Sequence, residues 1–546
     1  MMTPQGSWLV EFVLQDPSNF DMDGKEKSRI RFFPWQKSSQ FNLLGLDGQN
    51  GGRAPGWGWP EFFIILQYVS TGLLFIPGTQ PFRSIIRALP YLISGFLLLY
   101  YLFHWQRQRA MKWKMDTSAL AKKMDEISLI PSKQNRFSIN KAKFPFLGMQ
   151  GWLLGSLMVL LLGLLFHPNS HFQGGLGQIF FQIMIVAPAF WAVLVVQNRQ
   201  HLIRLLTLTF ATNLVSAVLG ILQVYYPEVF SPPALTTVDP EIRDRLTYTG
   251  PGGRQILRPC GLSDTPGYAS YSGLFCGFLG LAMAFGPRLS FFSRIFFIIG
   301  AGIGPVVLLL TQVRSLFIVL VLITILFAIT ICAQRRFLQF QLISGIGVFL
   351  FATAVIWAVN TGGESISNRF SFLWGEQDYK DLANQRGRFY SWTFDEHLRE
   401  YPLGAGVGRW GVMAESFNND YTNIKSSKLH AEIQLTGWLY DGGYLMWIIY
   451  PMAILFALIP ILRMSFTSVK DERTFWYAIV LALNLSVIIQ AYSQPTFNTQ
   501  FGIIFWFFSG AVIGLHSRLK KPDSHEDPEH NNWRRYRKTG NAPSDG

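Results

Sequence analysis

Twelve long apolar stretches constrain the fold of this 546-residue chain more than any other feature of its sequence. The hydrocarbon core of a bilayer is about 30 Å thick and an α-helix rises about 1.5 Å per residue, so a spanning helix needs roughly 17–25 apolar residues. The sequence therefore predicts an all-α, polytopic membrane protein with about 12 transmembrane helices. The predicted spans are 61–77, 85–104, 147–167, 178–197, 205–225, 267–286, 295–311, 315–333, 340–360, 442–462, 475–492 and 501–516.

The composition agrees with a membrane protein and argues against a soluble enzyme, a disordered chain or a coiled coil. Only 15% of the residues are charged, whereas soluble domains carry about 25%. Three widely spaced cysteines exclude a disulfide framework and a cysteine-rich zinc site. No cluster of His, Asp or Glu with ligand spacing is recognisable in the outer segments, so we predict no metal and no cofactor.

The distribution of basic residues predicts the orientation of the spans. The connection 105–146 contains ten Lys and Arg residues against three acids, which predicts a cytoplasmic location. Counting spans outward from it predicts that both termini are cytoplasmic, and 32 of the 47 basic residues then fall on the cytoplasmic side. The net charge of +14 is therefore interpreted as a topology signal and not as a nucleic-acid surface. One long kinked helix through 295–333 would break this agreement, so we predict two helices with a tight turn at Arg314.

Five segments follow from this layout. They are a cytoplasmic N-terminal segment (1–60), helices 1–9 (61–360), a large outer loop (361–441), helices 10–12 (442–516) and a cytoplasmic tail (517–546). The large loop is rich in aromatic residues, and its stretch 387–404 has the spacing of an amphipathic helix that ends at Pro402. We therefore expect a mostly helical cap. Glycines within 277–286 and 301–307 predict close helix packing.

Five residues on the predicted outer side are candidates for chemistry: Arg258, Arg314, Arg386, Arg388 and His430. Each has a simpler interpretation. An arginine at the end of a span often only reaches for the headgroups. The loop arginines can pair with nearby acids of the loop. A single histidine on a loop often only forms hydrogen bonds at the surface.

The order of these residues resembles the O-antigen ligase-like superfamily, which includes O-antigen ligases, O-antigen polymerases and protein O-oligosaccharyltransferases. The resemblance covers roughly residues 150–515, and the Pro-Leu-Gly-Ala-Gly-Val-Gly segment and His430 are its most specific parts. The matching positions are Arg258 and Gly261, Thr311 and Arg314, the run from Arg386 to Gly408, His430, and Gly442 and Gly443. The chain departs from the family pattern at Val313, Ala431, Asp441 and Asp264–Gly267.

The resemblance implies transfer of a glycan from a polyprenyl-pyrophosphate carrier, such as an undecaprenyl pyrophosphate, to an acceptor hydroxyl at the outer face of a bacterial inner membrane. Arg258 and Arg314 would stabilise the leaving pyrophosphate, because a guanidinium stays charged and presents a fork of donors. His430 would be the general base. Arg386 and Arg388 would bind pyrophosphate or sugar.

Three alternatives remain open at the sequence level. An O-antigen or exopolysaccharide polymerase would use the same donor with a second lipid-linked repeat as acceptor. A solute transporter, for bicarbonate or a similar ion, is a competing class. Coupled carriers generally place ionisable groups inside spans, whereas the acids of this chain avoid the middle of every predicted span. The third alternative is a protein without catalytic activity that assists in envelope assembly.

Overall fold

A computed structural model describes residues 57–127, 148–196, 198–232, 247–249, 255–265, 267–361, 387–411, 429, 431, 433–466 and 471–519. All of them belong to one unit, residues 44–546. Most of the predicted N-terminal segment and tail, and parts of the large loop, lie outside the described residues.

Helices account for nearly all of the described structure, as predicted. The long helices are α1 Trp59–Val69, α2 Arg83–Ile127, α3 Met149–Phe166, α4 Phe172–Val186, α5 Pro188–Val195, α6 Arg199–Tyr225, α7 Ala269–Ala284, α8 Phe291–Thr311, α9 Arg314–Ala333, α10 Phe337–Thr361, α11 Gln434–Phe466, α12 Arg473–Gln490 and α13 Gln500–Leu519. Short 3-10 helices cover Ser70–Phe75, Gln80–Phe82 and Thr496–Asn498. Strands β1 (Thr247–Thr249) and β2 (Gln255–Leu257) form an antiparallel hairpin.

Ten helices among the described residues are long and apolar enough to cross a membrane, with α4 and α5 counted as one. The all-α, multi-pass membrane architecture is therefore confirmed. The other two predicted spans correspond to shorter helices. The span 61–77 is an 11-residue α-helix followed by a 3-10 helix at Ser70–Phe75, where Ser70, Thr71 and Gly72 favour the α-helix poorly. The span 267–286 is the 16-residue α7.

Helix α7 lies at the centre of the bundle, where it is buried along almost its whole length. Its glycines contact α8 directly. A Cβ atom added to Gly304 would lie 2.4 Å from Gly277 Cα, and one added to Gly280 would lie 2.6 Å from the backbone nitrogen of Ala301. The close packing predicted from these glycines is thus confirmed. Small residues permit this approach, which supplies the dispersion contacts that hold helices together in lipid.

The turn at Arg314 joins two helices that form a hairpin. Helix α8 ends at Thr311, Gln312 takes a left-handed backbone with φ of 56°, and α9 begins at Arg314. The residues just beyond the far ends of both helices contact the start of α12. Arg288 donates to Glu472, the residue before α12, at 3.0 Å, and Gln334 donates to the carbonyl of Thr474, in the first turn of α12, at 3.1 Å. The prediction of two helices is confirmed, and a single kinked helix is excluded.

The bundle has two polar ends. At one end, which we call the Glu472 end, Arg199 and Arg288 bind Glu472 at 2.5 and 3.0 Å. Arg518 also donates to the carbonyl of Val196 at 2.9 Å there. The opposite end, which we call the Arg258 end, contains the starts of α2, α7 and α9 and the turns between α3 and α4 and between α12 and α13.

Candidate functional site

The loop that begins at Arg258 and ends at Gly267, here called the Arg258 loop, is held tightly against α6. The side chain of Gln223 accepts hydrogen bonds from the backbone nitrogens of Cys260 (2.8 Å) and Gly261 (2.9 Å), and it donates to the carbonyl of Gly261 at 2.9 Å. The loop closes where the Gly267 nitrogen donates to the carbonyl of Arg258 at 3.3 Å. Arg258 is half-buried on this fixed loop.

A buried carboxylate ties the same loop to the first turns of α2. Asp264 accepts from Arg83 Nε at 2.5 Å and from Arg87 at 2.8 Å. The sequence analysis did not select Arg83 or Arg87. The signal was present, because two arginines four residues apart open an otherwise apolar span, which places both on one face of the helix.

Arg314 is the first residue of α9, at the predicted turn, and is half-buried like Arg258. The surroundings of Gly267 show how Arg258 lies with respect to the start of α9. A Cβ atom added to Gly267 would lie 4.0 Å from Arg258 Cδ and 3.8 Å from a methyl carbon of Val313, the residue before Arg314. The structure therefore brings the Arg258 side chain and the residue before Arg314 against one glycine, although 56 positions separate the two arginines in the sequence.

Of the two loop arginines, Arg388 is described and Arg386 lies outside the described residues. The guanidinium of Arg388 lies 4.6 Å from the ring centre of Trp392, in the helix predicted within 387–404. That helix runs over residues 387–400 with a π-helical segment at Trp392–His397. Tyr390 stacks on Tyr492 with ring centres 4.6 Å apart, which fixes this helix against the turn between α12 and α13.

His430 also lies outside the described residues, but both of its neighbours are described. Ala431 belongs to a small hydrophobic cluster with Ala405, Trp410 and Tyr440, and Leu429 packs against this cluster. The residues on either side of His430 thus pack near Ala405 and Trp410 at the Arg258 end.

The glycine-rich segment, defined as residues 402–410, passes between the turn that joins α3 to α4 and a break in α11. Gly404, Gly406 and Gly408 have φ values of +101°, +106° and +81°. A Cβ atom on Gly408 would lie 2.2 Å from the backbone nitrogen of Gly175. The glycines are required because side chains at these positions would meet backbone atoms and would strain the left-handed conformation.

Helix α11 is broken at Gly442 and Gly443, and the glycine-rich segment packs against this break. The Tyr444 nitrogen donates to the carbonyl of Pro402 at 3.0 Å, across the break. Asp441, the residue before the break, is buried and accepts from Trp410 Nε1 at 2.6 Å and from the side chain of Gln178. Asp441, one of the departures from the family pattern, therefore joins α4, the glycine-rich segment and α11.

A group of glutamines and tyrosines connects the Arg258 loop with the start of α11. Tyr268 donates to Gln500 at 2.7 Å, and Tyr271 donates to Gln494. The backbone nitrogen of Gln434 donates to the carbonyl of Ala491 at 3.1 Å. The side-chain nitrogens of Gln434 and Gln490 are buried and have no hydrogen-bond partner among the described residues.

The described residues at this end of the bundle offer fixed cations and amide donors. Burial raises the pKa of the Cys260 thiol well above its ordinary value, so Cys260 is held neutral and is unsuited to nucleophilic attack. Within the described part of the chain, no group of three or more His, Cys, Asp or Glu residues could hold a metal ion. The arrangement is suited to binding an anion and orienting hydroxyl groups.

No known protein-family model matches the chain, and no curated protein matches it.

Proposed function

We propose that this chain is a membrane glycosyltransferase that moves a glycan from a polyprenyl-pyrophosphate carrier to an acceptor hydroxyl. The observation that carries the proposal is the surroundings of Gly267, where an added Cβ atom would lie 4.0 Å from Arg258 Cδ and 3.8 Å from a methyl carbon of Val313, the residue before Arg314. A charged leaving group needs several fixed cations in one place. The short distances around Gly267 support the convergence of Arg258 and Arg314.

The proposed reaction is a displacement at the anomeric carbon of the donor sugar. The acceptor oxygen forms a bond to that carbon, and the bond to the pyrophosphate oxygen breaks with its electron pair on the leaving pyrophosphate. Arg258 and Arg314 would stabilise the charge that develops on it. His430 would take the proton of the acceptor hydroxyl, because imidazole titrates near neutral pH. Arg386 and Arg388 would contact the donor further out.

The acids at the two ends of the bundle support a transferase over an ion-coupled carrier. Glu61 lies at the start of α1 and binds Arg204 at 3.0 Å. Asp264 and Asp441 lie at the Arg258 end and are engaged by fixed donors. A coupled carrier needs ionisable groups near the midplane that change their partners.

The proposal includes a location and an orientation. We propose that the protein lies in a bacterial inner membrane with both termini in the cytoplasm and the Arg258 end outside. The excess of basic residues in the connections at the Glu472 end supports this orientation. The donor would then be reached after it has been moved to the outer leaflet.

The test uses His430→Ala and Arg314→Ala, each introduced separately into a deletion strain. We expect both variants to insert normally and to lose glycan transfer, since removal of a positioned base costs about 10²–10⁴-fold in rate. His104→Ala and Arg294→Ala are the controls and should transfer normally, because Arg294 is exposed at the Glu472 end and His104 is exposed on α2. Gel analysis of surface polysaccharide gives the readout.

Normal glycan profiles in both site variants would overturn the mechanism. The deletion strain also identifies the acceptor. Accumulation of lipid-linked polymer with loss of all long chains on lipid A would indicate a ligase. Surface molecules that carry a single repeat would indicate a polymerase.

A further inference from the structure

We propose that Arg83 and Arg87 form a binding site for the phosphate group of an amphipathic molecule, next to the Arg258 loop. The two candidate ligands share this chemistry: the headgroup phosphate of a bilayer lipid, and the pyrophosphate of the carrier. The second identity rests on the function proposed above, whereas the affinity for phosphate does not.

The charges of this group are unbalanced. Two guanidinium groups share one carboxylate, and that carboxylate faces inward, because the Asp264 side chain is 0% exposed while those of Arg83 and Arg87 are 35% and 44% exposed. Arg83 uses only Nε on Asp264, and Arg87 uses Nε and Nη2. The remaining Nη groups have no hydrogen-bond partner among the described residues, so donors and positive charge face outward.

The position of the arginines in α2 strengthens the case for an anion. Arg83 is the first residue of α2, and Arg87 lies about one turn later. The N-terminus of a helix carries a partial positive charge, so cations are disfavoured there and anions are stabilised. A bound phosphate would therefore compensate both the guanidinium groups and the helix terminus.

The surroundings indicate a phosphate attached to an apolar chain. Phe82, the residue before Arg83, is 57% exposed, and Ile85, two residues after it, is 61% exposed; both lie at the predicted boundary of the membrane. A soluble phosphate compound would leave these side chains in water, whereas a lipid phosphate places hydrocarbon against them. Because Asp264 belongs to the Arg258 loop, the bound phosphate would lie beside that loop.

The experiment measures binding of inorganic pyrophosphate to the full-length protein in phosphatidylcholine nanodiscs. We expect the double variant Arg83→Gln/Arg87→Gln to bind at least about tenfold more weakly, because charge-assisted hydrogen bonds are lost. The matched control is Arg199→Gln/Arg288→Gln, which removes two arginines from one carboxylate at the Glu472 end. The control should change the affinity less than about twofold. Unchanged binding in the Arg83/Arg87 variant would overturn the proposal.

Asp264→Asn separates ligand binding from a purely structural role. If the two arginines bind phosphate, removal of the carboxylate frees their donors, and the affinity should stay the same or increase. If they only anchor the loop on which Arg258 lies, Asp264→Asn should weaken binding as much as the double variant does, and the proposal fails.

A second set of nanodiscs with phosphatidylglycerol distinguishes the two ligands. Competition of this lipid with pyrophosphate in the wild type but not in Arg83→Gln/Arg87→Gln would assign the site to lipid headgroups as well. No competition would assign it to pyrophosphate. If the deletion strain keeps a normal surface-glycan profile while pyrophosphate binding still depends on Arg83 and Arg87, the proposed function fails and the phosphate site stands.

Discussion

Single residues decide how closely the chain can approach itself at the Arg258 end. The arginines were recognisable in the sequence by their charge at the ends of spans, and Arg258 and Arg314 lie at the same end of the bundle. The glycines of 402–408 were recognisable only as a pattern. The roles of Gly406 and Gly408 depend on partners more than 200 positions away, Asn169 and Gly175, and nothing local in the sequence identifies these partners.

Gly408→Ala should destabilise the protein strongly, whereas Gly411→Ala should have a smaller effect. Both residues have a left-handed backbone, which costs a non-glycine residue about 1–2 kcal/mol. Only Gly408 also has a backbone atom within 2.2 Å of the new Cβ, while Gly411 has no atom within 4 Å. Size-exclusion chromatography of the detergent-solubilised protein monitors thermal unfolding, and the midpoints of the two variants are compared. Equal midpoints would show that the chain at Gly408 can move away from Gly175 at little cost.

At the scale of elements, the start of α11 differs from its predicted position more than the start of any other described helix. The predicted span began at residue 442, whereas the helix begins eight residues earlier at Gln434. Apolar length alone could not reveal this, because the added residues include two polar ones that other parts of the chain engage. The side-chain oxygen of Gln434 accepts from the Phe497 nitrogen, and Asp441 accepts from Trp410. The break at Gly442 and Gly443 then lies inside the helix, where the glycine-rich segment contacts it.

The bond between Asp441 and Trp410 should couple α11 to the glycine-rich segment. Asp441→Ala leaves the buried donor of Trp410 and the half-buried donor of Gln178 without an acceptor, at a cost of up to about 1–3 kcal/mol for each unsatisfied group. Trp410→Phe removes one of these donors. We therefore expect the double variant to be less destabilised than the sum of the two single variants, with a coupling of about 0.5–3 kcal/mol. Unfolding free energies of the four proteins in mixed micelles measure this coupling. Strict additivity would contradict the pairing.

At the scale of the whole molecule, polar contacts at the two ends of the bundle hold the helices in place. At one end, Arg199 and Arg288 bind Glu472 and so hold the ends of neighbouring helices together. At the other end, Arg87 and Gln223 bind the Arg258 loop and have the same effect. The alternation of helices predicted from charge agrees with this arrangement. Which end faces the cytoplasm is a prediction from the positive-inside bias.

Cysteine labelling tests this orientation. Thr265 is exposed on the Arg258 loop, and Ala333 is exposed at the end of α9 near the Glu472 end. In a background without the native cysteines, a membrane-impermeant maleimide should label Thr265→Cys in intact spheroplasts. Ala333→Cys should react only after the membrane is permeabilised. The reverse pattern would invert the topology and remove the support for an outer-face transferase.

The sequence by itself determined the membrane class, the approximate positions of the ten long apolar helices and the arginines at their ends. These properties follow from apolar length and charge, which act locally and need no knowledge of neighbours. Only the tertiary structure revealed that α7 is a buried central helix, that Arg83 and Arg87 bind Asp264, and that Asp441 joins three elements. Such features depend on which distant residues come into contact. A buried carboxylate is tolerated only where donors from other elements surround it, and spacing along the chain does not encode that environment.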